Sequence, residues 1–217
     1  MIIVGICGGS GKSTFAERIR DGLSCSCEIM RLDCYYFDQG GKPFEERTKV
    51  NYDSPEIFDF DEMLEDIRLL LDGKPVTRKG YNYAEHRRDD SEELMYPPEV
   101  LIIEGIHVFY DDRICDIMNL KLFIKVDSDI CLLRRIARDM NERGRSLESI
   151  SEQYKATVKP MREKYIDKYI DKADVVVMRG GMNEQALKTT ISYLKSCVKE
   201  QRPAESEKNE SDGNDSE

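Results

Sequence analysis

The sequence predicts an α/β fold, a parallel β-sheet flanked by helices, and three observations carry that expectation. Short apolar runs recur at residues 1–7, 100–103, 122–126 and 174–178; segments of helix length separate them; and the first run ends directly in a glycine-rich segment. Strands covered on both faces form continuous apolar runs, and their alternation with helices implies a parallel sheet with crossover connections. A chain of 217 residues with 40% hydrophobic content is long enough for one well-buried domain and too short for two generous ones.

Taken in order, the first run, Met-Ile-Ile-Val-Gly-Ile-Cys, precedes Gly8-Gly9-Ser10-Gly11-Lys12-Ser13-Thr14, and a helical segment is expected over 15–23. A second strand is expected over 28–32. Residues 56–71 carry Ile57, Met63, Leu64, Ile67, Leu70 and Leu71 at helical spacing, begin after Pro55 and stop at Asp72-Gly73. Residues 76–88 are polar, aromatic and charged, too long for a simple turn, and predict a small β-hairpin that makes substrate contacts. Two further helices are expected over 128–140 and 183–198. From residue 201 onward no apolar periodicity remains, which predicts a disordered acidic tail over 201–217, after one domain over 1–200.

The net charge of −10 argues against a general nucleic-acid binder, which needs a basic surface to displace counterions. Half of that excess lies after residue 204, where six carboxylates face Lys208 alone. Seven cysteines, an odd number scattered along the chain, suit free thiols in a reducing compartment. No run approaches the ~20 apolar residues of a membrane span, and the N-terminus lacks the pattern of a signal peptide, so the expected location is cytoplasmic.

Gly8 to Thr14 has the context of a phosphate-binding P-loop, between a strand and a helix. Glycines let backbone N–H groups converge on an anion, the following helix points its positive end at the phosphates, Lys12 neutralises them, and Ser13 offers its hydroxyl to Mg2+. The strict spacing is not met: counting back from Gly11 puts Ile6 where the leading glycine belongs. Glu104 ends an apolar strand, the place where P-loop enzymes set a carboxylate near the metal. Asp33 follows the second strand and falls at the same carboxyl edge, a place suited to a catalytic base. Arg134, Arg135, Arg138, Arg143 and Arg145, the last two flanking Gly144, are read as a lid over about 138–150, because planar guanidinium groups stabilise a moving phosphoryl group.

Beyond these single signals the chain resembles the uridine-cytidine kinase family of P-loop kinases from the first strand to about Leu187. The resemblance is carried by Asp33-Cys-Tyr-Tyr36, Asn51-Tyr-Asp53-Ser-Pro55, Tyr81-Asn-Tyr83-Ala-Glu-His86-Arg-Arg88, Glu104-Gly-Ile106, Arg134-Arg-Ile-Ala-Arg138-Asp, Glu142-Arg-Gly-Arg145-Ser-Leu-Glu148, Gln153-Tyr154 and Arg179-Gly-Gly181. It implies transfer of the γ-phosphate of ATP or GTP to the 5′-hydroxyl of uridine or cytidine, with Mg2+, in pyrimidine salvage. It also implies a P-loop NTPase fold, small-molecule nucleoside and nucleotide as partners, and a homo-oligomer.

By the same resemblance Asp33 is the catalytic aspartate and Asp53 contacts the ribose hydroxyls. Tyr81, Tyr83 and His86 build the base pocket with Tyr36, Tyr52 and Ile106 nearby, Arg138 and Gln153 clamp the sugar, and Arg135, Arg143 and Arg145 reach the nucleotide phosphates. The chain departs from the family at its loop, where Ser10 alone stands between the second glycine and Gly-Lys and relatives place three residues. It departs again at His107, where relatives usually carry leucine, and at Asn82 and Tyr83, which replace the commoner Asp and Phe. Two other readings stay open: a kinase of another sugar-like hydroxyl, as in phosphoribulokinase, and a non-catalytic nucleoside-binding protein with a defective loop.

Overall fold

The structure, a computed structural model, describes residues 1–202, with the side chain of residue 90 excepted. The expected acidic tail therefore lies outside the described residues beyond Arg202.

Five parallel strands form the central sheet: β1 (Ile2–Gly8), β2 (Cys27–Arg31), β5 (Val100–Glu104), β6 (Leu120–Lys125) and β7 (Val175–Met178). They stand in the order β2-β5-β1-β6-β7, so β1 is central and its run is buried throughout. Alternation along it sorts the core into two layers. Ile2, Val4 and Ile6 join Phe15, Ala16 and Ile19 of helix α1 (Lys12–Gly22) and Leu187, Leu194 and Val198 of helix α8 (Glu184–Gln201). Ile3 and Cys7 face the opposite layer, with Met63, Ile67 and Leu70 of helix α3 (Phe60–Leu71) and with Phe109 and Tyr169. Burial of both faces is why β1 and β5 were visible as apolar runs.

α3 begins later than its periodicity suggests. Residues Pro55–Ile57 form a separate 3-10 turn, and Asp59 caps the helix by accepting the Glu62 N–H at 2.9 Å. Phe37 N–H donates to Ile57 O and Asp59 N–H to Tyr35 O, so residues 57–59 pair with the chain after β2 and cannot join the α-helix.

The predicted hairpin is present as β3 (Val76–Asn82) and β4 (Arg87–Met95), antiparallel, with a register shift between Lys79 and Tyr81. Its second strand runs seven residues past the expected end at Arg88. Among the described residues that strand pairs only with β3, so it needs no apolar alternation, and the run Ser91-Glu92-Glu93 gave no signal. Asn82 Oδ1 accepts N–H groups of Ala84 and Glu85 at 3.0 Å, closing the turn that holds Tyr83, and His86 takes φ 51°.

Between α1 and α3 lies the short α2 (Phe44–Arg47), and after β5 comes α4 (Asp112–Asp116). α5 (Ser128–Arg143) extends three residues past the expected end and stops at Gly144 with φ 61°, a left-handed C-cap. Gly144 thus terminates the helix. Beyond it, α6 (Leu147–Gln153), capped by Ser146, passes through a π-turn (Tyr154–Val158) into α7 (Lys159–Lys164) and a 3-10 segment (Ile166–Lys172).

Candidate active site

The carboxyl edge of the sheet gathers the chemistry, as expected of a parallel sheet. Three residues, Gly9, Ser10 and Gly11, connect β1 to α1. The strand does not yield to lengthen this loop: Cys7 stands opposite Phe123 and Gly8 opposite Ile124 in the β6 ladder. Gly8 has φ 127°, and a Cβ there would lie 2.4 Å from the Ile124 carbonyl oxygen, so no other residue fits. Gly11 caps α1 at φ 87° with no side-chain partner for the first helical amides, and a Cβ on it would lie 2.7 Å from Gly181 N.

A cavity of about 570 Å3 opens beside the loop and is lined by Gly9, Lys12, Ser13, Asp33, Asp53 and Glu104, by Tyr36, Tyr52, Tyr81, Tyr83, His86 and Ile106, and by Arg135, Arg138, Arg143, Arg145 and Gln153. A second cavity of about 400 Å3 is lined by Gly9 to Ser13, Asp53, Ile106, Arg134, Arg135, Arg138 and Arg162. All but two of the residues singled out in the sequence line one or both. Gly8 is sealed in the ladder, and Thr14 is exposed and lines neither.

Ser13 Oγ donates to Glu104 Oε1 at 2.8 Å, and Arg31 Nε lies 3.7 Å from the same oxygen. Burial raises the Glu104 carboxyl above its ordinary value, against the pull of nearby Lys12. Asp33 sits on the 3-10 turn Leu32–Tyr35 that ends β2, and the Tyr83 hydroxyl donates to its Oδ2 at 2.6 Å. The Arg143 guanidinium stands 4.7 Å over the Tyr83 ring, so the hairpin, the end of α5 and Asp33 meet at one point.

The aromatic wall is built by rings from three segments. Tyr36 packs on Tyr81 at 4.7 Å between centroids and edge-on to Tyr52 at 5.4 Å, while Tyr52 stacks on His86 at 4.9 Å. Partial burial and then the cations Arg145, Arg143 and Arg47 lower the His86 pKa, so its imidazole is neutral at pH 7 and both donates and accepts.

Asp53 is buried, and its Oδ2 accepts the Thr157 hydroxyl at 3.2 Å while Arg135 approaches Oδ1 at 3.6 Å. His107 holds the backbone beneath it. A carbonyl only accepts, so His107 Nε2–H donates to Asp53 O at 2.8 Å and Nδ1 accepts the Tyr169 hydroxyl at 2.9 Å. Burial lowers the His107 pKa to about 4. A histidine with a folded pKa below its unfolded 6.5 contributes stability present above pH 6.5 and lost as pH falls toward 4. Relative to His107→Gln, the unmodified protein is therefore expected to lose about 3 kcal/mol more stability between pH 6.5 and 4. Urea titrations at both pH values check this, and equal losses in the two proteins would refute it.

The arginines of residues 135–145 converge on a residue not singled out in the sequence. Asp139 is fully buried and draws Arg138 to 2.8 Å, Arg143 and Arg145 to 3.4 Å and Arg135 to 3.7 Å. Gln153 Oε1 accepts from Arg145 at 2.6 Å and from Arg135 at 3.2 Å. Thr157 and Arg31 were missed as well. A lone Asp amid five arginines was the available signal for Asp139; Thr157 had none.

A glycine loop running into Lys-Ser at the head of a parallel sheet, facing carboxylates and a cluster of arginines, defines a P-loop kinase of small molecules. The model of the Phosphoribulokinase / Uridine kinase family matches residues 2–186, and the chain belongs to that family. It is 41% identical over 201 residues to the uridine kinase of Ligilactobacillus salivarius, covering 91% of this chain and 94% of that one. To the uridine kinase of Streptococcus uberis it is 43% identical over 202 residues, with 92% and 96% covered. Among solved structures, phosphoribulokinase from Rhodobacter spheroides shares the fold at a TM-score of 0.58 and 14% identity, over 82% of this chain and 69% of that one. D-glycerate 3-kinase from Cryptococcus neoformans does so at 0.53 and 13%, over 84% and 87%.

Proposed function

We propose that this protein is a uridine-cytidine kinase that transfers the γ-phosphate of ATP or GTP to the 5′-hydroxyl of the nucleoside, giving UMP or CMP. The observation that carries the reading is the union, in one cavity, of phosphate-loop residues, a carboxylate base and stacked aromatic rings. The volume, about 570 Å3, is in the range of small-molecule sites. Relatives of matching length bearing the name uridine kinase support it.

In this reading residues 1–200 form one kinase domain with its lid at 138–150. Asp53 binds the ribose hydroxyls, helped by Arg138 and Gln153. Tyr36, Tyr52, Tyr81 and Tyr83 face the pyrimidine, and neutral His86 reads its polar edge. Asp33 accepts the proton of the 5′-hydroxyl, exchanging its Tyr83 partner for substrate. Lys12 and the guanidinium groups of Arg135, Arg138, Arg143 and Arg145 stabilise the charge spread over the transferred phosphoryl group.

Mg2+ would be held by Ser13 Oγ and Glu104, an oxygen pair that suits this hard cation. Among the described residues no group of three or more His, Cys, Asp or Glu stands ready to hold a metal alone, so phosphate oxygens complete the set. When bound, the ion neutralises phosphate charge. No described helix is long and apolar enough to cross a membrane, and seven free thiols fit a cytoplasmic setting.

The purified protein with magnesium-ATP is expected to form UMP from uridine, and His86→Ala to lower that activity while sparing ATP affinity. Absence of monophosphate at high enzyme concentration would reject the reading. An unaltered rate in His86→Ala would favour a sugar-phosphate acceptor, which needs no base pocket.

A further inference from the structure

The shortened loop leaves a gap in the donor site that its neighbours fill. A P-loop grips phosphate chiefly with backbone N–H groups, and a connection of Gly9, Ser10 and Gly11 has two fewer amides than the family's loop. The β1–β6 ladder runs through Gly8, so none is recovered from the strand. Cationic side chains instead crowd the second cavity, where Gly9 to Ser13 face Arg134, Arg135, Arg138 and Arg162.

Arg162 is the one whose posture matters most. It comes from α7, remote from the arginine-rich lid in sequence, and its side chain is 15% exposed. Two of its nitrogens are anchored: Nε donates to Asp167 Oδ1 at 3.1 Å and Nη2 to Val126 O at 3.3 Å. That clamp fixes the plane of the guanidinium and brings Nη1 to 3.9 Å from where a side chain on Gly9 would begin, beside Cys131 Sγ at 3.2 Å, which also interacts with Arg162. From α5, Arg134 Nη1 donates to Ser10 Oγ at 3.3 Å. The three-residue connection is thus flanked by two guanidinium groups, one of them held rigid.

We propose that Arg162, assisted by Arg134, is a donor-binding residue that replaces the missing loop amides by contacting the polyphosphate of the nucleoside triphosphate. A guanidinium offers a fork of N–H donors and a full positive charge, so one properly fixed group offsets more than one neutral amide. The assignment rests on the kinase reading above for the identity of the donor, not for the existence of a polyphosphate site. It also gives the π-turn and α7 a purpose: they carry Thr157 to Asp53 and Arg162 to the loop on one continuous stretch of chain.

The test compares the unmodified protein with Arg162→Gln, Arg162→Lys, and Arg162→Gln carrying Gly-Ser inserted after Ser10. Each is titrated calorimetrically with inorganic tripolyphosphate and assayed for the KM of ATP and of uridine. Arg162→Gln is expected to weaken tripolyphosphate binding and raise the ATP KM by about tenfold or more, with the uridine KM within about twofold. Arg162→Lys is expected to retain most of the affinity, and the insertion to restore it by returning backbone donors. Tripolyphosphate binding and ATP KM unchanged in Arg162→Gln would overturn the proposal. So would equal losses in the Gln and Lys variants accompanied by a lowered melting temperature, which would mean that Arg162 only braces Asp167 and Val126. If the unmodified protein makes no UMP, the kinase reading fails, yet the tripolyphosphate titrations still decide the role of Arg162.

Discussion

Asp33→Asn is expected to lower kcat for uridine by about a thousandfold while uridine still binds, because proton abstraction by a positioned base contributes on this scale. Three carboxylates line the main cavity, and two of them are committed elsewhere: Asp53 to Thr157 and Arg135, Glu104 to Ser13. Among the described residues Asp33 accepts a side-chain hydrogen bond from the Tyr83 hydroxyl alone, a partner that a substrate hydroxyl can replace in kind. Asparagine keeps an oxygen to accept from Tyr83, so the pocket should keep its shape, but an amide does not take up a proton at neutral pH. A coupled assay of ADP release, with calorimetry of uridine alone, separates the two effects. A kcat within fivefold of the unmodified protein would remove Asp33 from the chemistry.

Loss of the Asp139 carboxylate should be the most damaging change to the lid. The side chain has no exposure and is the common partner of four guanidinium groups. Removing one member of a buried ionic cluster leaves the others uncompensated, at about 3–5 kcal/mol. For Asp139→Ala in a chain of this size that corresponds to a fall in melting temperature of about 6–12 °C. Arg135 and Arg145 also hold Gln153, so α6 should loosen with the end of α5. Hydrogen exchange should then quicken from residue 138 to 153, and the KM values for ATP and uridine should rise together. Unchanged exchange and melting in both Asp139→Ala and Asp139→Asn would show that the arginines organise themselves.

Much of the architecture was legible because burial on two faces leaves a plain imprint. β1 and β5 are buried along their whole length and appeared as near-continuous apolar runs, and all five central strands were expected within two residues of their observed limits. β4 left no such imprint, since it pairs with β3 alone and carries Arg87-Arg88 and Glu92-Glu93. Residues 147–172 were equally silent: their short α, π and 3-10 turns break the helical period before a stripe can build.

The site divides along similar lines. Lys12, Ser13, Asp33 and Glu104 were placed from the sequence because each follows a strand, and all strands of a parallel sheet end at one edge. Tyr36, Tyr52, Asp53 and Gln153 entered through resemblance to a family, since no local pattern marks a residue that meets its partners across a cavity.

By itself the sequence determined the order of strands and helices, the residue types at the sheet edge and the count of residues in the phosphate loop, all properties of chain neighbours. Only the tertiary structure decided what the short loop does, by locking Gly8 into the β6 ladder and setting Arg162 beside Gly9. It alone joined Asp53 to His107 and Thr157, because such pairs are selected by packing between segments up to 104 residues apart rather than by local periodicity, and it alone buried Asp139 among arginines that stand within six residues of it along the chain.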